Sequence, residues 1–297
     1  MPAGGEPLAT FVDADGRRVP ASPLARRIAA ARGLDLGAVA GSGPRGRVVA
    51  HDLEGLAPPR RLSDRLKRVG PREDEVVRVT QMRKTIARRL TEVHQQVPVF
   101  YLTVSYDVGA WVRLREVGKA RGLSFSYNDL LVVAVARALR DVPAVNAAWT
   151  GDTILEKGAV DIGVAVALPE GLITPVVRNA DTKKVTEIAA EVRALAARAK
   201  EGKLALEEYT GSTFTISNLG MFGIEHFTAI LNPPEAAILA VGGVEQVPAV
   251  VNGQVAPAWR MKVTMTCDHR VIDGALGARF LAALRAYVEE PGLMVLA

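Results

Sequence analysis

Apolar residues recur at three- and four-residue intervals in some stretches of this chain and alternate in others, and the two periods predict different elements. In ASPLARRIAAARGLDL (21–36) Ser22 is placed to cap a helix, Pro23 suits its first position, Leu24 and Ile28 share a face, and Gly33 stops it. The loop GSGPRGR (41–47) follows. VVAHDLEGL (48–56) then reads as a short extended piece entering a second small helix capped by His51 or Asp52. A helix is predicted over 81–94, with Met82, Ile86, Leu90 and Val93 in one stripe. VFYLTVSYDV (99–108) alternates, Phe100, Leu102, Val104 and Tyr106 forming the apolar face of a strand with one wet face. NDLLVVAVARALR (128–140), with Asn128 near its start, is apolar over most of its surface and predicts a buried helix. Strands are expected at 160–168 and 172–177, divided by the turn PEG (169–171). A long amphipathic helix at 182–202 carries Val185, Ile188, Val192, Leu195 and Ala199 along one stripe. Further strands are expected at 213–218, 236–241 and 260–267, and a final helix at 275–290. Long helices among mostly isolated strands predict an α+β layered fold.

The pattern also divides the chain. Residues 1–20 read as a flexible lead-in, 21–56 as a small all-α domain, 57–75 as a linker, and 76–297 as one large domain. A chain of 297 residues, 49% apolar and 23% charged, can bury such a core. The net charge of +5 raises nucleic acid as a partner. The positive charge forms no aromatic-interleaved patch, however: the linker segment APPRRLSDRLKRVG (57–70) carries five basic groups against one acidic, and the expectation is no nucleic acid. No long uncharged apolar run predicts a membrane span, and the first residues show no secretory signal. The single cysteine, Cys267, excludes an intramolecular disulfide and a cysteine-based zinc cluster, and the expected location is cytoplasmic.

Among candidate sites, GSGPRG (41–46) matches Gly-x-Gly-x-x-Gly but lacks the strand-before, helix-after context of a dinucleotide site, so its glycines are read as packing a tight loop. Of the four histidines, His51 is expected to start a helix, His94 to end one, and His226 to be packed or on the surface. No pair has metal-ligand spacing, and no metal is expected. His269 follows the alternating run RMKVTMTC (260–267). Continued strand phase carries it on the apolar side with Met261, Val263, Met265 and Cys267, toward a semi-buried pocket where a neutral imidazole can act as a base. Asp273, before Gly274, can cap the last helix or hold a cation such as Arg270. From these residues alone, a base and a satisfied core histidine with a helix cap stand equal. Cys267 reads as core. In GSTFTISNLGMFG (211–223), Thr213, Thr215 and Ser217 share one phase, either as a wetted strand face or as donors to a developing oxyanion.

With those residues in view, the chain resembles the dihydrolipoyl acyltransferase components of 2-oxo acid dehydrogenase complexes. DHRVIDG (268–274) looks like their His-x-x-x-Asp-Gly signature. MRKTIARRL, FYLTVSYDV, SYNDLLVVAVARALRDVPAVNAAW, DIGVAVALPEGLITPVV, GSTFTISNLGMFG and NPPEAAILAVG accompany it in the family's order. SPLARRIAAARGLDLGAVAGSGPRGRVVAHDLE resembles the family's peripheral subunit-binding domain. The resemblance implies a chloramphenicol-acetyltransferase-like, coenzyme A-dependent acyltransferase core, a mixed sheet with packed helices, preceded by that small all-α domain.

It further implies acyl transfer between dihydrolipoamide and coenzyme A, with His269 as general base, Ser217 as oxyanion donor and Asp273 as the residue ordering the site. Residues 22–47 carry five arginines and one aspartate, and Arg26, Arg27, Arg45 and Arg47 are the positions matching the family's contacts to dihydrolipoamide dehydrogenase or the 2-oxo acid decarboxylase. The family implies a homotrimer, assembled into a 24-mer or 60-mer core, with Ser217 and His269 expected from adjacent chains. SNLGMFGIEHFTAILNPPEAAILAVG looks more like the acetyl-transferring members of pyruvate dehydrogenase complexes than the succinyl or branched-chain ones. The family's lipoyl domain, with its Asp-Lys-Ala turn, has no counterpart in residues 1–20. The lipoyl group is therefore expected either on a segment missing from this sequence or in trans, on another lipoylated chain. The contacts to coenzyme A are not assigned. Two other readings share much of the evidence: a non-catalytic scaffold that recruits a dehydrogenase or decarboxylase, and an acyltransferase using a small amine or alcohol. Retention of His269 and Ser217 speaks against the first, and the binding domain against the second.

Overall fold

The computed structural model describes residues 19–32, 34–54, 74–168, 171–251 and 253–296, and the chain falls into two compact units divided between Val77 and Arg78. Nearly all of the expected lead-in and linker, the helix stop at Gly33, and Pro169 and Glu170 of the expected turn lie outside the described residues.

In the first unit α1 (Pro23–Arg32) begins where expected, the Ala25 amide donating to Ser22 Oγ at 3.1 Å. Ala25 and Ala29 are fully buried in a small core with Leu36, Val48 and Leu53. Two glycines of the 41–46 loop work by close approach, and Gly46 by its φ of 72°. A Cβ at Gly41 would stand 2.4 Å from the Gly46 carbonyl oxygen, and one at Gly43 2.7 Å from that of Arg47. The expected second helix is a single 3-10 turn, Ala50–Leu53. Neither His51 nor Asp52 stands at its cap position, which is Val49. Asp52 instead reaches back from the third position to accept from the Val49 amide (2.9 Å) and from Ser42 Oγ and N (2.5 and 3.0 Å). Those bonds, Ser42's hydroxyl first, hold its carboxyl below the usual range. His51 pairs with Glu54 at 3.2 Å.

The second unit is built on a mixed sheet. Its elements are α2 (Gln81–Gln96), β1 (Val99–Asp107), α3 (Gly109–Ala120), α4 (Tyr127–Asp141), β2 (Ala147–Trp149), β3 (Ile154–Glu156), β4 (Ile162–Val164), β5 (Val166–Leu168), β6 (Gly171–Ile173), β7 (Val176–Val177), α5 (Val185–Lys200), β8 (Phe214–Asn218), β9 (Ala237–Val251), β10 (Gln254–Asp268), α6 (Gly274–Glu289) and α7 (Leu293–Leu296). Among the described residues six strands join in the order β1-β10-β9-β8-β4-β7, parallel across β9-β8-β4 and antiparallel elsewhere, while β2–β3 and β5–β6 are separate hairpins. The strands expected at 160–168 and 172–177 are thus four short pieces in two sheets. Those expected at 236–241 and 260–267 are the inner halves of two 15-residue strands paired along one ribbon.

Helices α3 to α6 share one core with the sheet. A capping box starts α4: Asp129 N donates to Ser126 Oγ at 3.2 Å, and Ser126 N to Asp129 Oδ2 at 2.7 Å. The helix is then buried from Asp129 through Ala136, as its apolar surface predicts. Tyr106 Oη donates to the Leu281 carbonyl at 2.8 Å, tying β1 to α6. The same two elements meet so closely that a Cβ at Gly277 would lie 2.6 Å from Leu102 Cδ1. The stripe of α2 behaves differently. Val93 is buried against Leu231 and Ile238, but Met82 and Leu90 are exposed, so within one chain most of this apolar face is not a core face.

Candidate active site

The turn carrying His269 is pinned by its backbone. Strand β10 ends at Asp268, opposite Val99 of β1, and Asp268 N donates to the Ala236 carbonyl at 2.9 Å. His269 N donates to Pro98 O at 2.9 Å, and the amides of Val271 and Ile272 both return to Asp268 O, at 3.0 and 2.9 Å. The His269 imidazole stacks on Phe100 with ring centroids 4.7 Å apart and the planes tilted by 49°. Phe100 packs against the main core, so strand phase gives the correct side of the sheet. The expected semi-buried pocket is not formed: His269 is exposed in the single chain, because the ladder stops one residue before it and the chain turns away. Cys267, two residues earlier, is fully buried, and burial pushes its thiol up to about 12, so it is core as expected.

Of the two roles open to Asp273, the geometry supplies the cap. Its Oδ1 accepts from the Leu276 amide at 2.7 Å at the start of α6, and the side chain is exposed. Arg270 belongs to another carboxylate, that of Asp268. Arg270 Nε lies 3.0 and 3.3 Å from its two oxygens and Nη2 2.7 Å from Oδ2, while the Arg270 amide donates to Oδ1 at 3.0 Å. Sequence periodicity passes over this pair. Its only signal is a carboxylate and a guanidinium flanking the histidine in a stretch otherwise read for its apolar phase.

Strand β8 presents Ser217 half-buried near its end, paired with Ala240 of β9. The reading of Thr213 and Thr215 as a wetted face is incorrect. Both are buried: Thr213 Oγ1 accepts from the Asp161 amide at 3.1 Å, and Thr215 Oγ1 donates to Glu235 Oε1 at 2.9 Å. Glu235 was not singled out, although an acid heading the apolar run EAAILAV is a visible irregularity. Its Oε1 also accepts from Ser212 Oγ (2.5 Å) and Asn232 Nδ2 (3.0 Å), while Oε2 is buried with no partner among the described residues. The three donors favour the ionised form, but burial outweighs them and pushes the carboxyl up to about 7.

The register also measures what one chain cannot do. Ser217 pairs with Ala240, which pairs with Thr264 of β10, five residues before His269. Two strand spacings sideways and five residues along amount to about 10 Å and about 17 Å, a separation of about 20 Å between backbones. No rotamer of a serine and a histidine brings such groups to one reacting carbonyl. In the first unit, Arg27, Arg45 and Arg47 are exposed, and Arg26 is half-buried with its Nε lacking a partner among the described residues. Arg45 has φ 58°, in the left-handed region. Among the described residues no group of three or more His, Cys, Asp or Glu side chains is placed to hold a metal ion.

Comparison with known proteins accounts for both units. The family model described as 2-oxoacid dehydrogenases acyltransferase (catalytic domain) matches residues 71–296, and the e3 binding domain model matches residues 19–54. The chain is 42% identical over 297 residues to the dihydrolipoyllysine-residue acetyltransferase component of the pyruvate dehydrogenase complex of Rickettsia bellii, spanning 98% of this chain and 71% of that protein. It is 43% identical to the corresponding protein of Rhizobium meliloti, spanning 95% and 70%. Among solved structures, a probable dihydrolipoamide acetyltransferase from Listeria monocytogenes superposes with TM-score 0.70 at 34% identity, covering 73% of this chain and 95% of that one. A dihydrolipoamide acetyltransferase from Azotobacter vinelandii superposes equally, with TM-score 0.70 at 33% identity, covering 75% and 94%. The chain is an acyltransferase: it belongs to the family of 2-oxoacid dehydrogenase acyltransferases, with an E3-binding domain ahead of the catalytic one.

Proposed function

We propose that this chain transfers an acetyl group between dihydrolipoamide and coenzyme A as the core of a pyruvate dehydrogenase complex. In this reading His269 is the general base, Ser217 the oxyanion donor, and Asp273 the residue ordering the turn into α6. The observation that carries it is the His269 imidazole, exposed on a turn whose backbone is tied to Pro98 and Ala236. A free thiol has a pKa of about 8.5, so a neutral imidazole can take its proton as it attacks a thioester. The carbonyl oxygen gathers charge that a hydroxyl can meet, and the departing thiolate recovers the proton from the imidazolium. One thiol attacks the other's thioester directly, so no serine nucleophile is needed. The study of the Azotobacter enzyme names a serine, a histidine and an asparagine in its catalytic mechanism. They stand in the order and at the spacing of Ser217, His269 and Asp273, with aspartate here in the third place.

The separation of about 20 Å within one chain favours Ser217 and His269 acting from adjacent subunits, hence a homotrimer. The larger core is a 24-mer or a 60-mer, and one solved relative is titled the cubic core of the pyruvate dehydrogenase multienzyme complex. Residues 21–56 serve as the peripheral subunit-binding domain, 57–75 as a linker and 76–297 as the catalytic domain. Arg26, Arg27, Arg45 and Arg47 meet an acidic surface of dihydrolipoamide dehydrogenase or the decarboxylase. The lipoyl group is a substrate, carried in trans or on a segment outside this sequence. No helix among the described residues is long and apolar enough to cross a membrane. We place the protein in the cytoplasm, although relatives from Caenorhabditis elegans and Schizosaccharomyces pombe are mitochondrial.

The test is acyl exchange onto free dihydrolipoamide with acetyl-, succinyl- and isobutyryl-coenzyme A, on the wild-type chain and on His269→Ala. Acetyl preference and loss of turnover in the variant are expected. Preference for succinyl or isobutyryl groups corrects the specificity, and full turnover in His269→Ala removes the base. An inactive wild type that still binds the dehydrogenase favours the scaffold.

A further inference from the structure

We propose that Asp268 and Arg270 are positioning residues: their side chains form a clamp that straddles His269 and fixes the direction in which its side chain leaves the backbone. The proposal rests on His269 being the base. Asp268 is 4% exposed, and a carboxylate so buried needs a partner. It takes one only two residues along the chain. In a continuing strand, side chains at i and i+2 stand on one face about 6.5 Å apart and side by side, which does not suit a bidentate pair. Here the chain leaves the ladder at Asp268 and folds back, and the fork of Arg270 closes on both carboxylate oxygens at 2.7–3.3 Å. The Arg270 amide at 3.0 Å from Oδ1 ties the same carboxylate to the backbone.

A third contact holds the outer side of the clamp. The Arg270 guanidinium carbon lies 5.3 Å from the centroid of the Trp149 ring. Trp149 ends β2, whose Ala147 carbonyl accepts from the Ala236 amide, and the Ala236 carbonyl in turn accepts from Asp268 N. The guanidinium and the strand end are therefore referred to the same segment of chain. With 268 and 270 drawn together on one side, the residue between them projects to the other, and there His269 lies on Phe100. The arrangement fixes χ-independent features of the base, namely the place and direction of its Cα–Cβ bond. A guanidinium suits this work because it is planar and permanently charged, and lysine cannot reproduce the fork. Displacing a reacting group by about 1 Å can cost about 100-fold in rate.

The test is steady-state kinetics of the exchange reaction on the assembled protein with Arg270→Gln, Arg270→Lys, Asp268→Asn and His269→Ala, alongside thermal unfolding and sedimentation. Arg270→Gln is expected to lower kcat about 10- to 100-fold, with KM for acetyl-coenzyme A and dihydrolipoamide within about twofold. Arg270→Lys should recover part of the loss, and both should keep wild-type sedimentation; Arg270→Gln leaves the buried Asp268 carboxylate without its counter-charge and should melt lower, so its kcat is read at a temperature where the assembled protein is still folded. Asp268→Asn, which leaves the guanidinium without its counter-charge, should fall in the same direction. If His269→Ala is inactive and Arg270→Gln and Arg270→Lys turn over at the wild-type rate, the clamp is overturned and the base stands. If every clamp variant loses activity only in proportion to unfolded or dissociated protein, the pair is structural and the proposal is equally overturned. Full turnover in His269→Ala overturns the base reading and the clamp with it.

Discussion

Replacing Glu235 by glutamine isolates one ionisation in the middle of the catalytic unit. The carboxyl is 4% exposed and pushed up to about 7 from an ordinary 4.5. Folding therefore favours its neutral form, and the preference is worth about 3 kcal/mol at about 1.4 kcal/mol per tenfold change in acidity. Because the folded value is raised, the associated stability is fully present below about pH 4.5. It is lost as pH rises toward about 7, where the folded chain must bury a charge that the unfolded chain holds in water. Glutamine keeps an acceptor for Ser212, Thr215 and Asn232 at the place of Oε1. Its amide nitrogen falls where Oε2 already lacks a partner. That unpaired donor resembles the protonated acid, so the variant should match wild type near pH 5 and exceed it by up to about 3 kcal/mol near pH 8. Urea unfolding at both pH values, with one fixed protomer concentration, reads the difference. A difference between the two proteins that is the same at pH 5 and pH 8 would refute the reasoning, since only a titrating group makes it pH-dependent.

Three further outcomes follow from the geometry. Ser217→Ala should lower kcat by about 100- to 1,000-fold. Assemblies refolded from a mixture of Ser217→Ala and His269→Ala chains should regain activity that neither has alone, and no recovery on mixing would place both groups in one subunit. Arg27→Glu with Arg47→Glu should abolish capture of dihydrolipoamide dehydrogenase in a pull-down while leaving exchange onto free dihydrolipoamide unchanged, because both arginines lie in the first compact unit. Gly242→Ala should unfold well below wild type in a melting experiment: its Cβ would stand 1.9 Å from the Glu225 carbonyl oxygen, a backbone clash that no rotamer relieves, and an unchanged melting temperature would contradict that packing.

Several elements were legible because their burial matches their period. The stripe of α5 from Val185 to Ala199 faces the core, and α4 is apolar all round because it is buried nearly all round. The ribbon β9–β10 was half-read for the opposite reason. Beyond Val247 and before Ala258 the two strands pair only with each other among the described residues, so their side chains alternate against no core, and Pro248 stands opposite Pro257. Nothing in such a stretch marks a strand by periodicity. The stripe of α2 was legible as a helix but not as a packing face, since Met82 and Leu90 are exposed in one chain. Periodicity reports that a surface is apolar and leaves open what covers it.

The site divides along the same line. His269 and Ser217 could be picked out by residue type, and strand phase put the histidine on the correct side of the sheet. Its exposure could not be read that way, because phase ends where the ladder ends, and the direction of the next side chain is set by Asp268 and Arg270 closing across it. Nor does spacing along the chain measure the distance between serine and histidine; that follows only from the order β8-β9-β10 and its register. The same register places Ser217 next to β9, which starts two residues after Glu235, and Glu235 is bonded to Thr215, two residues before that serine. In the proposed reaction Ser217 and His269 thus lie beside separate polar devices, one buried under β8 and one straddling the end of β10. Each device can be fixed during folding of a single chain, while the proposed reaction draws the two groups from neighbouring subunits. A chain organised in this way separates its tests: stability reports on Glu235 in the folded subunit, and turnover reports on assembly and on the aim of His269.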